Sequence, residues 1–175
     1  MSAARLAGLA SITCALAFTL LAIPPFSRPA QASCIDTPRP EVNWRRCDFS
    51  GRNLGGIDVS DGNLQGARFV RTNLSGARFS NANVDGAKFV TANLNEADFS
   101  GARAVGTDFT KANLSGASFR DADLRRARFF DAVLRQADFT GARLTGGDLL
   151  NADLSGATWI DGVTICAPES IGQCK

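Results

Sequence analysis

Cysteine carries the most distinctive chemistry in this sequence, and there are five of them. Cys14 lies in an apolar leader; Cys34, Cys47, Cys166 and Cys174 lie outside it. None forms a C-x-x-C pair, so structural disulfides fit the spacing better than a redox-active dithiol. The chain has no histidine and no tyrosine. That removes any triad with histidine as base. There is no Cys/His cluster of metal-ligand spacing and no glycine-rich phosphate loop, so no metal and no cofactor is expected. The remaining chemistry is charge: aspartates and arginines that return at a fixed spacing of five and its multiples.

The leader comes first. Arg5 precedes an uncharged apolar run over residues 6–23, which Pro24 and Pro25 end. Ala30, Gln31 and Ala32 then supply an A-x-A site. A basic start, an apolar middle and small residues at the end read as a secretory signal peptide over residues 1–32, cut after Ala32. The alternative is an uncleaved anchor, since the run is just long enough to cross a bilayer. Removing Arg5 and Arg28 with the leader brings 19 basic residues down to the 17 of the acidic set, so the exported chain is neutral. Neutrality argues against a basic nucleic-acid binder and against an acidic mimic of nucleic acid. An even cysteine count in an exported chain favours disulfides.

From Cys47 to Asp161 the sequence is a run of pentapeptides. Each has an apolar centre, nearly always large, from Phe49, Leu54, Val59 and Leu64 to Leu154 and Trp159, and two residues earlier stands, in most repeats, a small residue, usually alanine. Five residues advance an α-helix about 140° beyond a full turn, which scatters the centres round the helix. In a strand, an odd step sends successive centres to opposite sides. A chain that bends at every repeat sends them all to one axis. Glycine often sits two after a centre, as at Gly51, Gly66, Gly76, Gly86 and Gly116, where a turn would need it. Phenylalanine returns every ten residues from Phe69 to Phe139, so the repeats per coil are even in number. Two cannot enclose a core, and four is the smallest number that can. Residues twenty apart then form columns: Phe49, Phe69, Phe89, Phe109 and Phe129 on a first face; Leu54 to Leu154 on a second; Phe79 to Phe139, with Trp159, on a third; Leu64, Val84, Ala104, Leu124 and Leu144 on a fourth.

The stretch "ANLSGASFRDADL", residues 112–124, closely resembles the A-(D/N)-L-x-x motif of pentapeptide repeat proteins. The resemblance implies an all-β fold, a right-handed quadrilateral β-helix with the centre and alanine positions inside. About six coils at ~4.8 Å each would give a rod of about 28 Å. Residues 33–46, with Trp44, read as an N-terminal cap, residues 47–161 as the solenoid, and residues 162–175 as a C-terminal cap. On such a rod only Cys34–Cys47 and Cys166–Cys174 avoid joining opposite ends, since a disulfide needs Cα atoms within about 7 Å.

The columns also sort the outward residues. Asp48, Arg68, Lys88, Asp108, Arg128 and Asp148 precede the first-face centres; Asp58, Arg78, Asp98, Ser118 and Asp138 precede those of the third. Basic residues interrupt the carboxylates, which suits weak surface ion pairs better than a metal or acid–base site. Asn53, Asn73, Asn93 and Asn113 form an amide ladder. Arg120, Arg125, Arg126, Arg128 and Arg135 spread round the rod as a belt, not a phosphate or lipid patch. Ala104 stands where leucine would fit, so a bulge or a looser coil is expected there.

One column is out of character. After the first-face centres come Ser50, Val70, Val90, Thr110, Phe130 and Leu150. Val70, Val90, Phe130 and Leu150 form a candidate interface, because a contiguous apolar stripe often marks one. The expected protein is a non-catalytic, exported scaffold or protein-interaction module. It would use this face to bind an unknown partner or itself, with no nucleic acid and no stable membrane insertion after signal cleavage. Its expected place is the bacterial periplasm or the medium, with the thylakoid lumen as alternative. Members of the family that resemble DNA and protect gyrase suggest a second reading, a DNA-mimicking regulator of a type II topoisomerase.

Overall fold

The structure, a computed structural model, describes residues 33–175. The expected signal segment, residues 1–32 with Cys14, lies outside the described residues. Among the described residues no helix is long and apolar enough to cross a membrane.

Each repeat makes one tight turn. The N–H three residues after a centre donates to the centre's carbonyl: Ala67 to Leu64 at 3.0 Å, Ala77 to Leu74 at 3.0 Å, Ala87 to Val84 at 2.9 Å. The second residue after the centre has positive φ: 68° at Gly66, 65° at Gly76, 62° at Gly86. A turn with positive φ only at its third residue is type II, which is why glycine is favoured there. Several corners lack glycine and take the same conformation, among them Arg71 (56°), Asn81 (57°) and Thr91 (56°).

Four such corners bring the chain back over itself in a twenty-residue register. Parallel bridges join Asn43 to Asn63, Asp48 to Arg68, Asn53 to Asn73 and Asp58 to Arg78, and continue unbroken to Asp138 with Thr158. Each side of the square contributes a single bridging residue, too short for an extended strand, yet the coils are fully laddered. The Phe69 N–H donates to Lys88 O in the coil above at 2.7 Å, and Arg68 N–H to Cys47 O in the coil below at 2.8 Å.

The centres fill the tube. Phe49, Phe69, Phe89, Phe109 and Phe129 stack nearly parallel, with centroids 5.0–5.4 Å apart. Phe79, Phe99, Phe119 and Phe139 form a second stack opposite, with spacings of 4.6–5.3 Å. The two stacks meet edge to face, as Phe79 and Phe89 do at 5.6 Å and 83°. Stacked and edge-to-face geometries each suit the ring quadrupole and contribute about 0.5–1.5 kcal/mol per pair beyond burial. The alanine methyls sit between the columns, where a larger group would displace a ring. At two alanine positions a threonine is buried instead. Its hydroxyl donates to a carbonyl of the coil below: Thr72 to Phe49 O at 3.0 Å, Thr107 to Val84 O at 2.8 Å.

Three expectations need correction. The coil at Ala104 does not bulge: Ala104 N–H reaches Asp123 O at 2.9 Å and Gly106 N–H reaches Arg125 O at 2.9 Å. Bridges run through Asn83, Arg103 and Asp123. Backbone bonds hold the coil pitch there whatever the side-chain volume. The repeat geometry also starts before Cys47. Trp44 is a buried centre whose N–H donates to Asn63 O at 2.8 Å, with a positive-φ corner at Arg46. Finally, the small-residue column fails in the first coil, where Arg52 is exposed and Ile57 half-buried, with no coil bridged beneath them among the described residues.

Candidate interaction surface

The aspartates and asparagines before the centres have a local task. Their Oδ1 accepts the N–H two residues on, across the corner: Asp48 from Ser50 at 2.9 Å, Asp98 from Ser100 at 2.9 Å, Asp138 from Thr140 at 2.9 Å, Asn73 from Ser75 at 3.2 Å. This Asx bond braces the turn. Sequence reasoning did not include this bond, although an Asp or Asn at a fixed offset before many of the corners is a readable signal for it. The Ser60 hydroxyl and N–H hold the Asp58 carboxyl below its ordinary value. Burial raises Asp98, but the Ser100 and Ser80 side chains outweigh it, and its carboxyl is lowered.

The second carboxylate oxygen meets a cation in many repeats. Arg68 pairs with Asp48 at 3.3 Å and Arg128 with Asp108 at 3.7 Å; Asp85, which follows a centre, pairs with Arg103 at 2.6 Å. Four of the five arginines of the belt are paired: Arg120 with Asp138 at 2.7 Å, Arg125 with Asp123 at 2.7 Å, Arg128 as above, and Arg135 with Asp153 at 2.5 Å. These carboxylates thus serve turns and ion pairs. Among the described residues no group of three or more metal-ligating side chains converges. The amide ladder holds from Asn53 to Asn93: Asn73 donates to Asn53 at 2.8 Å and Asn93 to Asn73 at 3.2 Å.

The cysteine pairs are bonded in the structure. Cys34 and Cys47 have Cα atoms 5.4 Å apart and tie the N-terminal segment to the first coil. Cys166 and Cys174, at 4.8 Å, close the C-terminal segment on itself. That segment reverses after Trp159 and runs antiparallel over two faces of the last coil, bridging Thr158 to Ile165 and Asp153 to Ile171. The other two faces carry no such bridge among the described residues. In the coil beneath, Leu124, Arg126, Phe129 and Asp131 donate upward to the last coil. Their counterparts Leu144, Gly146, Leu149 and Asn151 have no backbone acceptor among the described residues. Leu144 and Leu149 are correspondingly half-buried, while the centres below them are sealed.

These ends reshape the candidate interface. Backbone bonds from Gly51 to Val70 O, Arg71 to Val90 O, Lys111 to Phe130 O and Asp131 to Leu150 O place the stripe in one column. Val70, Val90 and Phe130 are half-buried, because coils above and below cover them. Leu150, on the last coil, is 60% exposed. Four further apolar side chains cluster in sequence around the reversal and are exposed: Ile160, Val163, Ile165 and Ile171. The cap reaches the stripe's end, since a methyl built on Gly172 would lie 3.7 Å from Leu149 O. Beside the cap, a groove of about 670 Å³ runs between Ser115, Arg135 and Ser155 on the second face and Ile165 and Pro168.

The family model for pentapeptide repeats matches residues 53–89, 92–131 and 122–158, in eight copies. The chain belongs to the pentapeptide repeat family. Solved structures similar to this pentapeptide repeat chain include Rfr23 from the cyanobacterium Cyanothece 51142, at 21% identity over 69% of this chain and 89% of that one, TM-score 0.36. A pentapeptide repeat protein from the Arabidopsis thaliana thylakoid lumen aligns at 27% identity over 63% of each chain, TM-score 0.28. QnrB1, a plasmid-mediated fluoroquinolone resistance protein, aligns at 25% identity over 69% of this chain and 68% of that one, TM-score 0.40. No curated protein matches the sequence.

Proposed function

We propose that this pentapeptide repeat protein is an exported, non-catalytic scaffold that docks a protein partner, or a second copy of itself, at the C-terminal end of its rod, continuing onto its first face. The observation that carries the reading is the exposure of Leu150, Val163, Ile165 and Ile171 at 46–83%, in a rod whose other large apolar side chains mostly face the axis. Apolar exposure concentrated at one end of a rod suits an interface better than free surface. The half-buried Val70, Val90 and Phe130 extend the patch down the rod. Two disulfides support an oxidising compartment, with the periplasm or the medium preferred and the thylakoid lumen as alternative. The reading as a DNA-mimicking protector of gyrase is less well supported. It needs a continuous acidic track, whereas the aspartates here alternate with arginines that pair with them.

The test is a set of single aspartate substitutions at Val90, Phe130, Leu150 and Ile165. Association state by light scattering and partner capture by cross-linking in the native envelope should both weaken, most strongly for Leu150→Asp and Ile165→Asp. If neither changes in any of the four, the apolar end is not an interface.

A further inference from the structure

The apolar stripe of the first face is flanked by charge. Val90, Thr110 and Phe130 run up the middle of the face to the exposed Leu150. One edge is the column Asp48, Arg68, Lys88, Asp108, Arg128 and Asp148, joined in that order by parallel bridges. The other edge holds the positive-φ corners Arg71, Thr91, Lys111, Asp131 and Asn151. Most of these ions are matched within the chain: Arg68 with Asp48 at 3.3 Å, Arg128 with Asp108 at 3.7 Å, Lys111 with Asp131 at 4.0 Å. Lys88 and Asp148 are not. Both are exposed, and neither enters an ion pair among the described residues. Asp148 accepts Leu150 N–H through Oδ1 at 3.0 Å, which leaves its other oxygen to solvent. The two lie three coils apart in the register, about 14 Å at ~4.8 Å per coil, so they do not meet within one chain.

A two-fold axis brings them together. Turn a second copy end over end about an axis that crosses the face midway between Thr110 and Phe130. Each edge then lies against the same edge of the other copy, in reverse order. Lys88 faces Asp148, Asp108 faces Arg128, and Lys111 faces Asp131. In the middle, Val90 faces Leu150 and Thr110 faces Phe130. Every charge in the contact meets its opposite, and each pair occurs twice, as an isologous interface requires. Other antiparallel registers of this length or longer set like charges together, which is strongly disfavoured across an interface. Centred on Thr110, Lys88 meets Arg128 and Asp108 meets itself. Centred between Val90 and Thr110, Arg68 meets Arg128 and Asp48 meets Asp148. Centred on Val90, Lys88 meets itself; centred between Val70 and Val90, Arg68 meets Lys88. A parallel pairing sets Arg68 against Arg71 and leaves Lys88 and Asp148 unmatched.

We propose that the protein forms an antiparallel homodimer through its first face, with Lys88 of each copy against Asp148 of the other. This names the partner within the docking reading above, and it rests on that reading. Four coils give a contact about 19 Å tall, and one side of the tube is about 16 Å wide, so each copy contributes roughly 300 Å². A standard interface uses about 800 Å² per partner. The dimer is therefore weak, and its copies exchange.

The experiment is sedimentation equilibrium of the exported chain from micromolar to millimolar concentration. The wild type should pass from monomer to dimer over that range. Lys88→Glu and Asp148→Lys should each weaken the dimer about tenfold or more, because each turns two attractive pairs into repulsive ones. An equimolar mixture of the two variants should recover wild-type association, since both pairs of the mixed dimer are again of opposite sign. Recovery in trans separates pairing from a folding defect in either variant. Asp148→Asn keeps an oxygen for the Leu150 N–H, so it should weaken the dimer without loosening that corner. The proposal is overturned if the wild type stays monomeric throughout, if both charge reversals associate as the wild type does, or if the folded variants fail to recover on mixing. The docking reading fails separately. A monomeric wild type whose cross-linking to a foreign envelope protein is lost in Leu150→Asp would sink the homodimer and keep the docking surface.

Discussion

Thr91 occupies a corner at φ 56°, a conformation that suits glycine and strains a β-branched residue. Its hydroxyl donates to Val90 O at 2.7 Å, an exposed contact of small value. Thr91→Gly should relieve about 1–2 kcal/mol of left-handed strain. Glycine's greater freedom in the unfolded chain returns about 0.5–1 kcal/mol of that. The net expectation is a gain of about 0.5–1 kcal/mol, or ~1–4 °C in melting temperature for a domain of this size. The reverse change at an equivalent corner is Gly86→Ala, at φ 62°, where an added methyl meets nothing within 4 Å. Its loss should therefore be purely conformational, about 1 kcal/mol. Gly101→Ala should lose about as much, because the one close atom its methyl would meet is the end of the exposed Asn81 side chain, which can swing aside. Asn81→Gly should change little, since asparagine tolerates this conformation. Urea unfolding followed by circular dichroism measures all four. The turn argument is refuted if Thr91→Gly destabilises, or if Gly86→Ala and Gly101→Ala cost nothing.

Two further outcomes follow from the buried and bridging polar groups. Thr107→Val removes the hydroxyl bond to Val84 O, but that carbonyl keeps its bond from Ala87 N–H at 2.9 Å, so the loss in urea should be about 1 kcal/mol and not the larger penalty of an orphaned group. In acid, the aspartates that brace the corners should set the stability limit. Asp58, Asp98, Asp138 and Asp153 have folded values lowered from 3.8, so their contribution is fully present above the unfolded value and is lost as pH falls through the lower folded ones. Thermal melts should thus be flat from neutral pH to about pH 5 and decline below about pH 4, and a decline that begins near neutrality would contradict this assignment.

The interior of the rod was legible because its cause is local. A three-residue turn bond, a glycine-tolerant corner and a five-residue step recur without regard to distant sequence. Phe89 therefore stacks between Phe69 and Phe109 as the period requires. The same locality explains why Ala104 makes no bulge: backbone bonds to the coils above and below set the pitch.

The outer surface and the two ends were less legible. Sequence order names Val70, Val90 and Phe130 as outward residues but not how far their neighbours twenty positions away cover them. The braced turns depend on where an aspartate side chain folds relative to its own corner. At the ends the period stops, and no repeat rule says what closes the tube. The chain's reversal over two faces of the last coil leaves Leu150 and Ile165 bare, and among the described residues no coil is bridged beneath Arg52, which stays exposed. The sequence by itself determined a square tube in twenty-residue register, because each turn is made by residues in contact along the chain. Only the tertiary structure decided which surfaces remain unfilled, because that depends on what lies one coil away, or on there being no further coil.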